Sequence, residues 1–566
     1  MEPRSDTIAR RAKADAILAC VLAVFLACLM TFPLVAAPGR LGRTTTMDGL
    51  YSIWNVAWVS RTIVTHPLSL FDANIFYPHR NTLAYSEPNI VAGVVGIPAW
   101  LLTHNAYAAH SSALLFAFAS TFMGMWLLAR RLTGDAASAM IAAILFAFCP
   151  YLYSHTAHIQ LLMAGGIPLS MLSLHRLVEA PSPRRGLELG AALALQALAC
   201  AYYGIFAGLM VGYAVLFLAA SRRLWRVKDF WIAVAIAAAT ACALVLPIFV
   251  HYLELQRTSG FARSLDDARR YAATWQSYLA SPAHGHQPIL LLARKLGWRM
   301  GEVLFPGVIV TVLGTIGIAA GVGAQTGESR TRETIALYGS LGILAFWGSF
   351  GPAAGLYTVF YRAVPLFTFL RAPSRFGFLI VFVLSIFSAI GLAWLLGGPP
   401  EGGPYGRRTA RAGLFAGVVA AFAILELNVV PFPWERALPV STNYTLLAAM
   451  PRGSVAEFPF YGERIAYPLH AQYMVLSTTH WMPLVNGYSD YIPPDFREAA
   501  FVLDSFPSND TFAVLQRHRV RYIGIHWDMY GPRAEEIRGK LKEFARYLRP
   551  LGSDQTMTLY EIVSFP

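Results

Sequence analysis

Charge is what this chain has little of. Of its 566 residues only 14% are Asp, Glu, Lys or Arg, while 56% are hydrophobic. A soluble domain carries about a quarter charged residues, so a soluble globular protein is excluded and a polytopic membrane protein is indicated. Cysteine is also scarce. All five (Cys20, Cys28, Cys149, Cys200 and Cys242) lie in or at the edge of apolar segments. With none in the large polar stretches there is no disulfide framework, and packing is their role. Zinc-ligand spacing, a P-loop and a dinucleotide fingerprint are missing, as is the internal repeat of many transporters. The net charge of +13 does not call for nucleic acid. In a membrane chain, excess Lys and Arg meet anionic headgroups and lipid phosphates.

Apolar runs of spanning length or nearly so fall at 14–37, 109–129, 136–151, 157–177, 187–201, 203–220, 230–251, 302–323, 333–350, 375–397 and 410–431. The first lies behind Arg4, Arg10, Arg11 and Lys13, and its core is longer than that of a cleaved signal, so it is expected to be retained. The segment 89–103 is apolar but short. If it does not cross, the loops carrying Arg130/Arg131, Arg176/Arg184/Arg185, Arg222/Arg223/Arg226/Lys228, Arg330/Arg332 and Arg407/Arg408/Arg411 all share the amino-terminal side. The positive-inside rule makes that side cytoplasmic. The expectation is therefore about 11 transmembrane helices, N-terminus inside and C-terminus outside. A linker is expected at Gly397–Gly406, within a transmembrane domain covering 1–431.

On the outer face this places the first loop (38–90), a long loop (252–301), the connection 351–374 and the tail 432–566. In the tail, β-like runs (Val455–Phe460, Arg521–His526, Thr556–Val563) alternate with turns and a helical stretch near 533–548, which reads as an extracytoplasmic α+β domain. In the first loop, Leu50, Ile53, Trp54, Ala57 and Trp58 recur at helical spacing with Ser52, Asn55, Ser60 and Arg61 between them. That pattern predicts a helix lying along the bilayer surface with its Trp at headgroup level.

The candidate chemistry starts with Asp48, at the mouth of that helix. An ionised carboxylate there can take a proton from an acceptor hydroxyl, or it can cap the helix behind Thr44-Thr45-Thr46. Glu87, before Pro88, is a second acid that could meet a metal or sugar hydroxyls, or favour a helix N-terminus. His79 and Arg80 add polar groups to the same loop. His158 and Gln160, in SHTAHIQLL with His155, and Tyr202 and Tyr203, at the outer turn of a hairpin, are candidates for substrate contact or for structural roles. Arg371 and Arg375, in FLRAPSRFGF, enter a span from outside and suit phosphate, since Arg binds it in bidentate fashion and stays charged.

The order of these pieces, TTTMDGLYSIWNVAW then PLSLFDANIFYPHRNTLAYSEPN, with SHTAHIQLL, LACAYYGIF, FTFLRAPSRFGF and HWMPLVNGYSDYIPP later, resembles the GT-C class of integral membrane glycosyltransferases, in particular a broad bacterial set. The likeness covers most of the chain. It implies transfer of a sugar from a polyprenyl-phosphate donor to a glycan, lipid or protein acceptor outside the bacterial inner membrane, with inversion. The acid of the first outward loop, base or metal ligand in that class, maps onto Asp48, with Glu87 second. Met47-Asp48-Gly49 supplies one acid where many members have a pair, so a divalent metal (Mg or Mn) on Asp48 and Glu87 is left open. Three rivals remain: a transporter or flippase of lipid-linked saccharide, a ligase or polymerase of preassembled glycan, and a non-catalytic envelope scaffold.

Overall fold

The computed structural model describes residues 2–298, 301–323, 329–398 and 409–566. The expected linker lies mostly outside the described residues, as do Arg407 and Arg408. Helix occupies each of the eleven expected spans. Among the described residues six helical segments are long and apolar enough to cross a membrane: Arg10–Met30, Ala106–Thr133, Ala136–Ser154, Ala201–Ser221, Lys228–Ser259 and Pro373–Leu395. The chain is a multi-pass membrane protein.

The first four α-helices are α1 (Glu2–Met30), α2 (Met47–Thr65), α3 (Ile90–Thr103) and α4 (Ala106–Thr133). α3 holds 14 residues, about 21 Å at ~1.5 Å per residue, which is short of the ~30 Å apolar core of a bilayer. The helix expected over 302–323 begins only at Val308, leaving Glu302 in a segment without helix or strand ahead of it.

The described chain separates into two compact units. The first comprises residues 1–35, 114–249 and 262–432 and is built from apolar helices. In it helices Val308–Gly323 and Gly377–Leu395 meet closely. A Cβ on Gly317 would meet the Phe387 carbonyl oxygen at 2.0 Å, and one on Gly391 would meet that of Leu313 at 2.2 Å. Small residues let two helix backbones meet this closely, a usual device where lipid supplies no hydrophobic drive.

The second unit comprises residues 36–113, 250–261 and 433–566, so the first loop and the tail fold together. A four-stranded sheet orders β3 (Ser454–Phe458), β4 (Val520–His526), β6 (Met557–Ile562) and β5 (Leu548–Ser553), with β1 (Leu41–Gly42) and β2 (Glu435–Arg436) pairing separately. β3 runs parallel to β4, while β6 is antiparallel to both its neighbours. One side of the sheet packs Tyr444, Leu447, Val455, Leu484, Tyr522, Met557 and Leu559. The first loop joins through backbone bonds from Tyr77 to Leu484 (2.7 Å), Leu484 to Asn74 (2.9 Å) and Tyr491 to Tyr85 (2.9 Å).

α2 departs from the surface helix expected of it. Trp54 is fully buried and Trp58 nearly so, and their indole N–H groups donate to Asn74 Oδ1 (3.1 Å) and the Leu70 carbonyl (2.9 Å). The polar residues between them face protein too. Ser52 meets His110 at 3.2 Å, Asn55 donates to the Glu87 carbonyl at 3.2 Å and Ser60 to that of Gly93 at 2.7 Å. Of the polar stripe, Ser52, Asn55 and Ser60 are spent on internal hydrogen bonds, while Arg61 lies over the Trp481 ring.

Candidate functional site

In the second unit the centre is the first turn of α2. Thr46 is the N-cap, its hydroxyl accepting the Gly49 N–H at 3.3 Å, so capping does not consume Asp48. The loop ahead is pinned by Glu435, which accepts from Arg43 (3.2 Å), the Thr44 N–H (3.2 Å) and Thr45 (2.8 Å). A Cβ at Gly49 would lie 2.1 Å from the Arg43 carbonyl oxygen, so this tight entry requires the glycine that follows Asp48. Asp48 itself is exposed, and the Tyr488 hydroxyl donates to its Oδ1 at 3.0 Å.

Around that pair the unit gathers further tyrosines and acids. The Tyr488 ring meets Tyr51 edge-on at 6.2 Å. Burial pushes the Tyr51 hydroxyl up to about 12, so it remains a neutral donor at physiological pH. Glu87 is half-buried, and both it and Asp490 lie within electrostatic reach of Tyr252. Tyr252 donates to the Ser86 carbonyl at 2.7 Å, and Ser86 Oγ to Asp490 at 2.7 Å. His79 is paired with Asp495 at 2.9 Å near the surface, and Arg80 is exposed.

The first unit holds the remaining candidates. The Pro373–Phe376 turn leads into helix Gly377–Leu395 and sets Arg375 over the Tyr202 ring at 4.1 Å. The Arg371 backbone N–H donates to the Tyr202 hydroxyl at 2.6 Å, and its guanidinium lies over Tyr271 at 5.3 Å. Glu302 pairs with His155 at 3.0 Å, while His155 Nδ1 donates to the Tyr151 carbonyl at 2.8 Å. Burial alone would raise the Glu302 carboxyl. His155, Arg375 and Ser374 outweigh it and hold the group down at about 2.

Tyr203 is fully buried with its hydroxyl on the Leu161 carbonyl (3.1 Å), which is a packing position. His155 and His158, three positions apart, do not share one helical face. The helix Pro150–Ser154 ends before them and a new one starts at Ile159, leaving His158 and Gln160 half-buried about the break.

Neither a protein-family model nor a curated protein matches the sequence. Solved structures do match in three dimensions. An arabinofuranosyltransferase, AftD, from mycobacteria aligns with 97% of this chain at TM-score 0.55 and 15% identity, this chain spanning 41% of that one. The oligosaccharyltransferase of Archaeoglobus fulgidus aligns in its apo form with 95% of this chain and 72% of its own, at 0.51 and 13% identity. A complex of that protein with Zn and sulfate aligns with 96% of this chain and 72% of its own, also at 0.51 and 13%. The chain has the GT-C fold. This GT-C chain carries groups that its sequence did not bring forward: Tyr488 and Asp490, inside the quoted HWMPLVNGYSDYIPP, and Glu302 as the partner of His155. The run of acid and aromatics in GYSDY was a usable signal for the first two. Nothing local marked Glu302, whose partner is 147 positions away. Asp48 and Glu87 were also candidate metal ligands, but among the described residues no three His, Cys, Asp or Glu side chains are grouped to hold an ion.

Proposed function

We propose that this protein is a membrane glycosyltransferase that moves a sugar from a polyprenyl-phosphate donor to an extracytoplasmic acceptor with inversion. The observation that carries the reading is the exposed Asp48 carboxylate at the first turn of α2, uncommitted to capping and set by Tyr488, in a chain with the GT-C fold. In the proposal Asp48 takes the proton of the acceptor hydroxyl as that oxygen attacks the anomeric carbon, and the bond to the donor phosphate breaks on the opposite face. Polyprenyl phosphate leaves as an anion and needs no acid. Arg371 and Arg375 stabilise the charge that grows on it. Glu87, Tyr202, His158, Gln160, His79 and Arg80 are proposed to contact substrate.

The same reading proposes residues 1–431 as the transmembrane domain and 432–566 as the extracytoplasmic one, in a bacterial inner membrane with the N-terminus cytoplasmic. A divalent ion, Mg or Mn, enters only as a variable of the assay, and no step runs through it.

The test is incubation of the purified full chain with radiolabelled polyprenyl-phosphate sugars and envelope acceptors, with and without divalent metal. Label is expected to pass to acceptor with wild type and to fall at least ~10²-fold with Asp48→Asn, the lower end of the range for a lost general base. Equal transfer by both proteins would refute the assignment. Movement of intact lipid-linked sugar across vesicles without bond cleavage would favour a flippase.

A further inference from the structure

The second unit has an open cavity of about 550 Å³, a volume in the usual range for small-molecule sites. It is bounded by the ends of α2 and α3, the start of α4 and residues 475–481. Among the described residues its lining includes Arg61 and no Asp or Glu. Arg61 is half-buried and stacks over the Trp481 ring at 5.0 Å. Arg452 brings a second positive charge within its electrostatic reach, and no carboxylate pairs with Arg61 among the described residues. A partly desolvated guanidinium on an aromatic face, without a protein anion, is a site built for an external one.

The backbone points to the same place. Trp481 lines the cavity with a positive φ of +54°, a region that bulky L residues rarely adopt, whereas the +50° of His104 is the left-handed cap that ends α3. Trp481 is held there by its N–H bond to the Ser477 carbonyl (2.7 Å) and by the rings of Trp58 (5.8 Å) and Trp100 (5.6 Å). Backbone conformations maintained against their own preference collect at ligand sites.

What surrounds the opening narrows the ligand. Val64, Leu101 and Val440 line the cavity yet are 43%, 54% and 55% exposed, and Leu102 beside them is 85% exposed. The lining residue Asn105 directly precedes the apolar span Ala106–Thr133. The cavity therefore sits where a span begins, at the depth of lipid headgroups.

We propose that this cavity binds the head of an anionic phospholipid drawn from the surrounding bilayer. The phosphate is taken by Arg61, and the acyl chains pass over Val64, Leu101 and Val440. Lipid phosphate, prenyl phosphate and soluble phosphate esters share this chemistry, so the test separates them. The full chain is purified in detergent with equal phosphatidylglycerol and phosphatidylcholine, and retained lipid is counted by native mass spectrometry. Wild type is expected to keep phosphatidylglycerol preferentially. Arg61→Gln should cut that retention about fivefold, as the loss of one basic contact to an anionic surface implies, and leave phosphatidylcholine unchanged. Val440→Glu puts an anion at the exposed mouth without disturbing the core and should do the same, with an unchanged melting temperature confirming the fold. Equal retention of the two lipids would overturn the proposal. So would loss of both in the variants, displacement by glycerol 3-phosphate at the lipid's own concentration, or displacement by equimolar polyprenyl phosphate.

Discussion

Replacing Glu302 by Gln tests whether the cluster in the first unit is held by charge. Glu302 and His155 are 3.0 Å apart, with side chains 18% and 10% exposed, so solvent screens the pair little. Its carboxyl stands at about 2 in the folded chain, against about 4.3 in an unfolded one. That difference corresponds to about 3 kcal/mol of stability at pH 7. The sign follows from the lowered folded value. The contribution is complete above the unfolded value and is lost as pH falls through the folded one. At pH 3 roughly half of it remains. Glu302→Gln also leaves Arg375 without its nearby anion, so the variant is expected to melt below wild type at pH 7. The gap should roughly halve between pH 7 and pH 3. The assay is intrinsic tryptophan fluorescence on detergent-purified protein at one fixed scan rate. Equal melting of the two proteins at pH 7, or a gap that does not narrow on acidification, would refute the charge assignment.

Gly391→Ala should push helix Gly377–Leu395 off helix Val308–Gly323, because its Cβ would lie 2.2 Å from the Leu313 carbonyl oxygen. The expected cost is about 1–3 kcal/mol, read as a lower melting temperature. Tyr488→Phe removes the donor to Asp48 (3.0 Å). A hydrogen bond to an ion, discounted for exposure to about 1 kcal/mol, predicts a kcat about fivefold lower with KM unchanged. His79→Ala breaks an exposed pair with Asp495 worth less than about 1 kcal/mol. The melting temperature should hold while KM for the sugar donor rises, and an unchanged KM would remove His79 from the binding set.

What could be read from sequence was what depends on local pattern. The expected strands at 455–460, 521–526 and 556–563 are β3, β4 and β6, each within two residues of its observed ends, and the expected helix near 533–548 begins at Ala534. β5 was hidden because Pro550 and Gly552 interrupt it. Such residues are tolerated there because the strand is at the edge of the sheet. α2 was located correctly and its surroundings were misjudged, since a polar stripe satisfied by distant carbonyls looks the same in sequence as one facing water. The site residues divide the same way. Asp48 and Arg375 could be named from their positions at helix starts. Tyr488 and Glu302 reach their partners across 440 and 147 positions, separations that no periodicity encodes.

The transporter rival asks for ionisable groups that can change protonation inside the spans. The acids nearest the helices are already committed elsewhere. Asp135 caps helix Ala136–Ala147, accepting the Ser138 N–H at 2.9 Å and its hydroxyl at 2.6 Å. Glu188 lies one turn from Arg184, paired at 3.1 Å. Glu426 accepts from the Ile309 N–H at 3.0 Å and from that of Val308, closing the start of helix Val308–Gly323, and meets His286 at 2.8 Å. Glu302 is bound to His155. Asp135 and Glu426 close helix starts and Glu302 is held in a buried ion pair, so protonating any of these three removes a contact that the structure uses. Glu188 sits in an exposed pair at the start of its apolar run. A transferase needs no such cycling. It needs one exposed carboxylate with room for an acceptor, and Asp48 has the exposure and the fixed partner that role requires.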